Sequence, residues 1–104
     1  MTDQAGPVFS ALSDPTRRTV VEALASRETA TATELASELP VTRQAVSKHL
    51  HALGSAGLVA SERRGRETHY RLTPEALSQA LSWMELVGAQ WERRLDALRQ
   101  RFPQ

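Results

Sequence analysis

The chain has 104 residues, enough for one ordinary domain, and its 40% hydrophobic and 24% charged residues are typical of a globular protein, not of a disordered or membrane-inserted one. It has no cysteine, which excludes disulfides, thiolate metal sites and a cysteine nucleophile. Its net charge of +1 does not by itself indicate a nucleic-acid partner, and with no apolar run of membrane-spanning length and no signal-peptide pattern at residues 1–9 we expect a cytoplasmic location.

The first two predicted helices are separated by a helix-start signal. A short apolar stripe comes first, made of Val8, Phe9 and Leu12. The stripe ends before Asp14, which can cap the next helix. Pro15 suits the first turn of that helix, because proline lacks the backbone N–H that would stay unbonded there. We therefore expect a second helix from Pro15 to about Ser26.

Two further helices follow in close succession. Thr31 and Glu34 form a capping-box pattern, in which each side chain satisfies a free backbone N–H at the start of a third helix. That helix stops at Pro40, which cannot continue it. Thr42 is a suitable N-cap for a fourth helix, whose apolar residues recur every three or four positions until Gly57, a suitable C-cap. A short helix and a longer one joined by such a tight connection predict a helix-turn-helix.

The apolar periodicity changes after Gly57 from helical to alternating. Residues 58–63 and 67–72 predict two short strands, with Arg64-Gly65-Arg66 as the turn between them. The two strands therefore form a β-hairpin.

The last predicted element is a long helix. Thr73 and Pro74 repeat the signal of an N-cap followed by a first-turn proline, and the helix is expected to run to about Phe102. The predicted fold is therefore mainly α with a small β-hairpin, in winged helix-turn-helix order: four helices, the hairpin and the long helix. It is a single domain over residues 1–104, with residues 74–102 available for dimerisation.

Positive charge is concentrated in the middle of the chain. Residues 42–72 hold six Arg and Lys against two Glu, whereas residues 1–41 hold three Arg against six acidic residues. Side chains suited to DNA are expected on the exposed side of the fourth helix: Arg43, Gln44 and Ser47 for bases, and Thr42 and Lys48 for phosphates. When this helix is considered alone, the alternative to DNA binding is that its polar side is simply exposed to solvent.

The hairpin turn adds a second basic feature, because Arg63, Arg64 and Arg66 surround it. Three guanidinium groups at a turn can lie along a phosphate backbone or enter a minor groove. A basic helix followed by a basic hairpin is the order expected of a winged DNA-binding domain, so the two features support each other. Tyr70 is expected to pack against the sheet.

The last helix carries a heptad seam of apolar residues. Steps of three and four residues separate Leu77, Leu81, Met84, Gly88, Trp91, Leu95, Leu98 and Phe102. A seam of about 25 residues spans roughly 40 Å, more than one small domain can cover. We therefore expect a homodimer, whose two-fold symmetry suits a palindromic operator in double-stranded DNA. An amphipathic helix packed on its own domain is the alternative.

Catalytic and metal-binding motifs are absent from the sequence. No P-loop, dinucleotide-binding, nucleophile-elbow or zinc-protease pattern occurs, so we expect no enzyme activity. His49 and His51 are two residues apart and therefore face different sides of a helix, which argues against a shared metal ion. Two alternatives to a DNA-binding repressor remain. One is a winged-helix module that binds another protein, and the other is a small-molecule sensor with a cleft lined by Trp83, Met84 or Trp91.

Four segments together resemble the ArsR/SmtB family of bacterial winged-helix repressors: FSALSDPTRR from Phe9, AVSKHLHAL from Ala45, SAGLV from Ser55 and RRGRETHYRL from Arg63. The resemblance covers nearly the whole chain. The ending QWERRLDAL is similar to the branch whose members often lack the familiar metal sites. The resemblance implies an autoregulatory repressor and a homodimer joined through its first and last helices, the first of which carries Val8, Phe9 and Leu12.

The resemblance also implies site residues. It assigns DNA contacts to Gln44, Ser47 and His49 on the fourth helix and to Arg64 and Arg66 on the wing. Family members that sense metals carry Cys-x-Cys in the third helix or Asp and His in the last one, whereas this chain has no cysteine and no histidine in its last helix. We therefore expect no metal or other cofactor, and the inducer is left unidentified.

Overall fold

The computed structural model describes residues 5–102, which form five α-helices and a two-stranded antiparallel sheet. In chain order the elements are α1 (Ala5–Ala11), α2 (Pro15–Ala25), α3 (Ala32–Glu38), α4 (Arg43–Ser55), β1 (Val59–Arg64), β2 (Glu67–Leu72) and α5 (Pro74–Arg101). This order confirms the predicted mainly α fold with a winged helix-turn-helix arrangement. Residues 1–4 and 103–104 of the predicted domain lie outside the described range.

Element ends differ from the prediction by one or two residues. α2 ends at Ala25 instead of Ser26, and β1 begins at Val59 instead of Leu58. Leu58 is left out of the strand because its backbone N–H still bonds to the Leu53 carbonyl of α4, at 3.0 Å.

Side-chain caps begin α2 and α3 as the sequence predicts. Asp14 accepts hydrogen bonds from the backbone N–H groups of Thr16 and Arg17 at 2.7 and 3.1 Å. Thr31 and Glu34 form the reciprocal capping box, with N···O distances of 2.8 and 3.1 Å. A bonded N–H favours the charged carboxylate. The Arg17 N–H therefore holds the pKa of Asp14 below its ordinary value, and the Thr31 N–H does the same for Glu34.

The starts of α4 and α5 differ from each other. Thr42 caps α4 as predicted, by accepting from the Ala45 N–H at 3.1 Å. Thr73 stands at the N-cap position of α5 as predicted, but its hydroxyl donates to the Gly57 carbonyl and makes no side-chain cap bond. The Thr73 N–H also bonds to the Leu58 carbonyl, at 2.9 Å. Both bonds connect the end of β2 to the turn after α4. The Thr73 hydroxyl therefore points away from the first turn of α5.

The core is aliphatic and receives side chains from all five helices and from β1. Its largest fully buried side chains are Val8, Val20, Leu24, Leu35, Val46, Leu50, Leu53 and Leu58. An isolated bridge between Ala30 and Tyr70 fastens the hairpin to this core through backbone hydrogen bonds of 2.8 and 3.0 Å. The bridge fixes the position of the wing relative to the start of α3.

α5 extends well beyond the core. Ala76 and Ala80 are buried, and Trp83 meets Phe9 of α1 edge to face, with ring centroids 5.6 Å apart. The molecule measures 65 × 33 × 20 Å. Its radius of gyration is 18.2 Å, against about 13 Å for a compact domain of this length. No helix within residues 5–102 is long and apolar enough to cross a membrane.

Candidate nucleic-acid interface

α4 has one apolar and one polar side. Val46, Leu50 and Leu53 are fully buried in the core. Because an α-helix repeats every 3.6 residues, the positions between them face outward. Five predicted DNA-binding residues are exposed on or next to this outward side: Thr42, Arg43, Gln44, Ser47 and Lys48. Neither Arg43 nor Lys48 has an ion-pair partner within residues 5–102, so both cations are available to an anion.

His49, the sixth predicted contact on this helix, has different surroundings. It is half-buried, and its charge lowers the pKa of Asp14, although less than the Arg17 N–H does. His51 is exposed and lines a groove between α4 and the hairpin. Across the described part of the chain, no group of three or more His, Asp or Glu side chains is placed to hold a metal ion.

The strand register assigns the hairpin side chains to two faces, because alternate residues of a strand point to opposite sides. One face holds the pairs Val59 with Leu72, Ser61 with Tyr70, and Arg63 with Thr68. The other face holds the pairs Glu62 with His69 and Arg64 with Glu67. The first face is turned toward α4, since Ser61 and Tyr70 line a groove of about 440 Å³ together with Ser47.

A second concavity, of about 330 Å³, lies between the start of α4 and the tip of the hairpin. We call it the helix–wing cleft. It is lined by Arg43 and Ser47 of α4, by Arg63, Arg66, Glu67, Thr68 and Tyr70 of the hairpin, and by residues 31–33 at the start of α3. Three guanidinium groups from two separate elements therefore meet at one polar opening. Guanidinium groups bind phosphate oxygens with charge-assisted hydrogen bonds, so the cleft suits a phosphodiester group.

The three wing arginines differ in how they are held. Arg63 donates to the carbonyl of the turn glycine at 3.1 Å and to the Thr68 hydroxyl at 3.5 Å. Arg64 lies on the face turned away from α4, where it pairs with Glu62 at 3.4 Å. Arg66 lines the cleft, is exposed, and has no side-chain partner within residues 5–102. Of the three guanidinium groups, that of Arg66 is therefore the one most available to an anion.

Three hydroxyl-bearing residues that line the cleft are not assigned to the DNA-binding site from the sequence, namely Thr33, Thr68 and Tyr70. Tyr70 packs partly against the core, and it also lines the cleft. The alternation from Arg66 through Thr68 to Tyr70 is a signal that identifies the two hairpin residues. Thr33 reaches the cleft only through the packing of α3, which no local pattern indicates.

The predicted dimer residues fall into a core group and an exposed group. Val8 is fully buried within the protomer, and Leu12 and Leu77 are half-buried against the same core. Leu95 is half-buried too. The exposed group contains Phe9, Leu81, Met84, Gly88, Trp91 and Leu98. An exposed apolar surface along most of a long helix is typical of a protein–protein contact.

Comparison with known proteins places this architecture among transcriptional regulators. A family profile described as a helix-turn-helix domain matches residues 12–62. The transcriptional repressor SdpR of Bacillus subtilis (strain 168) is 32% identical over 77 residues, which are 74% of this chain and 84% of SdpR.

Solved structures extend the likeness to the whole fold. An ArsR-like transcriptional regulator from Rhodococcus sp. RHA1 is 43% identical, with a TM-score of 0.82 over 93% of this chain and 91% of that one. The homodimeric winged helix-turn-helix DNA-binding domain of Mb0332 from Mycobacterium bovis, a possible ArsR-family regulator, is 26% identical. Its TM-score is 0.67 over 85% of this chain and 81% of that one.

Proposed function

Because this chain is a member of the ArsR family of winged helix-turn-helix transcriptional regulators, we propose that it is a homodimeric repressor that reads its operator with α4 and the hairpin. The observation that carries the proposal is the helix–wing cleft, where Arg43 and Ser47 of α4 lie near Arg63 and Arg66 of the hairpin. Through this cleft both elements hold the same stretch of DNA backbone while α4 enters the major groove. Membership in this family argues against the alternative of a module that binds only protein.

The first turns of α4 lie nearest the bases in this arrangement. Gln44 can form two hydrogen bonds with adenine, and Arg43 can do the same with guanine. Ser47 can bond to either base. Thr42 and Lys48 flank these residues and bind phosphates. The division explains how one helix both positions the protein and reads sequence.

Two further contacts rest on the family motif alone. His49 is proposed as a contact from its position in SKHL, although it lies near Asp14. Arg64 is proposed from its position in the wing, although it lies on the face turned away from α4. Both are weaker candidates on geometry than Gln44 and Arg66.

A homodimer supplies two α4 helices to one operator. The exposed apolar residues of α5 need a partner, and the related Mb0332 domain is homodimeric. A two-fold protein matches a palindrome whose half-sites lie about one helical turn apart. We propose that the protein acts in the cytoplasm without a cofactor, and that it represses its own gene.

Selection from a pool of random duplexes tests the operator. We expect the retained DNA to contain an inverted repeat, and we expect that repeat to occur upstream of the protein's own gene. Fluorescence anisotropy then compares this repeat with a scrambled duplex, across a salt series. We expect a preference of about a thousandfold or more for the repeat.

A matched pair of variants separates base reading from phosphate binding. Gln44→Ala should reduce the preference for the repeat, whereas Lys48→Ala should weaken binding to both duplexes alike. Equal affinity of the wild type for both duplexes at every salt concentration contradicts sequence-specific binding. A repeat that is absent upstream of the gene contradicts autoregulation alone.

A further inference from the structure

The helix–wing cleft continues into a second concavity. A groove of about 440 Å³ lies between residues 47–55 of α4 and the base of the hairpin, and we call it the adjoining groove. It shares Ser47 and Tyr70 with the cleft of about 330 Å³. Both volumes lie in the range of small-molecule sites, which is about 300–1,000 Å³. A ligand larger than a single phosphate group can therefore extend from the cleft into the groove.

The cleft end carries a surplus of positive charge. Its three arginines contribute +3 and Glu67 contributes −1, which gives +2 among the lining residues. The Glu67 carboxylate lies 3.3 Å from the His69 Nε2 atom, on the hairpin face turned away from α4. A phosphodiester of DNA carries one negative charge, whereas a phosphomonoester carries about −1.5 to −2 at pH 7. The charge of the cleft therefore matches a phosphomonoester more closely than a single phosphodiester.

The adjoining groove is nearly uncharged and rich in hydroxyl groups. Its polar lining residues are one histidine and four hydroxyl-bearing residues: His51, Ser47, Ser55, Ser61 and Tyr70. Only the histidine can carry a charge near neutral pH. The hydroxyl groups of Ser47, Ser61 and Tyr70 make no hydrogen bond to another residue within the described range 5–102, so they are available to a ligand. Leu50 and Val59, both buried, give the groove an apolar floor.

We propose that the helix–wing cleft and the adjoining groove together bind a sugar phosphate, which competes with operator DNA. The phosphate group lies among the three arginines, and the sugar hydroxyls bond along the groove. The inference rests on the proposed function and adds a signal that releases the protein from its operator. The ligand competes because Arg43, Ser47 and Arg66 cannot bind it and the DNA at the same time. A sugar phosphate resembles one unit of the DNA backbone, which explains why the same side chains accept it.

Isothermal titration calorimetry with glucose 6-phosphate and ribose 5-phosphate tests the site. Inorganic phosphate and glucose represent the two parts of the ligand, and glucose 6-sulfate has the same sugar with a single negative charge. Potassium chloride keeps the ionic strength constant, so that screening is equal in all titrations. We expect at least one sugar phosphate to bind about tenfold or more tighter than each control. If neither binds more tightly than inorganic phosphate, the sugar site is overturned. If glucose 6-sulfate binds equally well, the match of charge is overturned.

Substitutions locate the two parts of the ligand. Arg66→Ala removes a guanidinium group from the cleft and should weaken the sugar phosphate about tenfold to a hundredfold. Arg64→Ala removes the same charge from the other face of the hairpin and should weaken it less than about threefold. Equal effects of these two variants overturn the position of the phosphate.

Ser61→Val tests the position of the sugar. Valine suits a strand, and its methyl groups occupy part of the adjoining groove. The substitution should weaken the sugar phosphate about tenfold but change the affinity for inorganic phosphate less than about threefold. A sugar phosphate that binds Ser61→Val as tightly as the wild type overturns this position.

Fluorescence anisotropy with the operator tests the competition. The sugar phosphate, at about ten times its dissociation constant, should raise the apparent dissociation constant for the operator about tenfold or more. Glucose 6-sulfate at the same concentration and ionic strength should change it less than about threefold. Operator binding that is equal with and without the sugar phosphate overturns the competition and leaves the proposed function intact. Absence of operator binding without any ligand contradicts the proposed function, and calorimetry then decides the ligand site alone.

Discussion

Replacing Arg66 by alanine should reduce the salt dependence of DNA binding more than replacing Arg64. Arg66 lines the helix–wing cleft with Arg43 and has no side-chain partner in the described part of the chain. Arg64 lies on the opposite face of the hairpin, beside Glu62. Both substitutions remove one positive charge from the same turn. A difference between the two variants therefore comes from the position of the lost charge and not from the net charge of the protein.

The magnitude follows from counterion release. Each phosphate contact contributes about 0.9 to the slope of log affinity against log salt, and a dimer has two wings. Arg66→Ala should therefore make the slope less steep by about 1.8. Between about 50 and 200 mM salt, the variant should lose roughly tenfold less affinity than the wild type does.

Anisotropy titrations at four or more salt concentrations measure the slope for the wild type and for both variants. Arg64→Ala should change it by less than half as much as Arg66→Ala does. If Arg64→Ala has the larger effect, the wing presents its other face to DNA. That result would refute the proposal that the helix–wing cleft binds the phosphate backbone of the DNA.

Three further outcomes are expected. Ser47→Ala should relax base preference at one operator position, at a cost of about 1–3 kcal/mol for the correct base, measured on single-base operator variants. Leu50→Ala should lower the free energy of unfolding by about 2–5 kcal/mol in urea titrations, because Leu50 is only 1% exposed. Asp14 and Glu34 have a lower pKa in the folded protein than their ordinary 3.8 and 4.5, so their contribution to stability is present above those values and is lost as the pH falls through the folded pKa. Melting temperatures between about pH 2 and 7 measure that loss.

The two stability predictions have controls. Gln79→Ala, at an exposed position of α5, should change stability by less than about 0.5 kcal/mol. A Leu50→Ala protein as stable as this control contradicts the assigned core. In the double variant Asp14→Asn/Glu34→Gln, the melting temperature should fall less steeply with decreasing pH than it does in the wild type. If the melting temperature of the double variant falls with pH as steeply as that of the wild type, these two caps do not contribute to the pH dependence of stability.

The element order was predictable from the sequence because its signals are local. Asp14 and Thr31 lie within three residues of the N–H groups that they cap. The change from helical to alternating periodicity after Gly57 is likewise contained in a few neighbouring residues. Thr73 shows the limit of such signals, since it has the same pattern as a cap but bonds to Gly57, sixteen positions earlier in the chain.

The sequence by itself determined the fold, the basic helix and wing, and the apolar seam of α5, because caps, periodicity and charge runs are properties of neighbouring residues. The tertiary structure decided which basic residues lie together. The register of the hairpin and the bridge between Ala30 and Tyr70 bring Arg66 to the cleft and leave Arg64 outside it. The positions of these arginines depend on distances between elements that are far apart in the chain. Those distances are set only by the packing of the core.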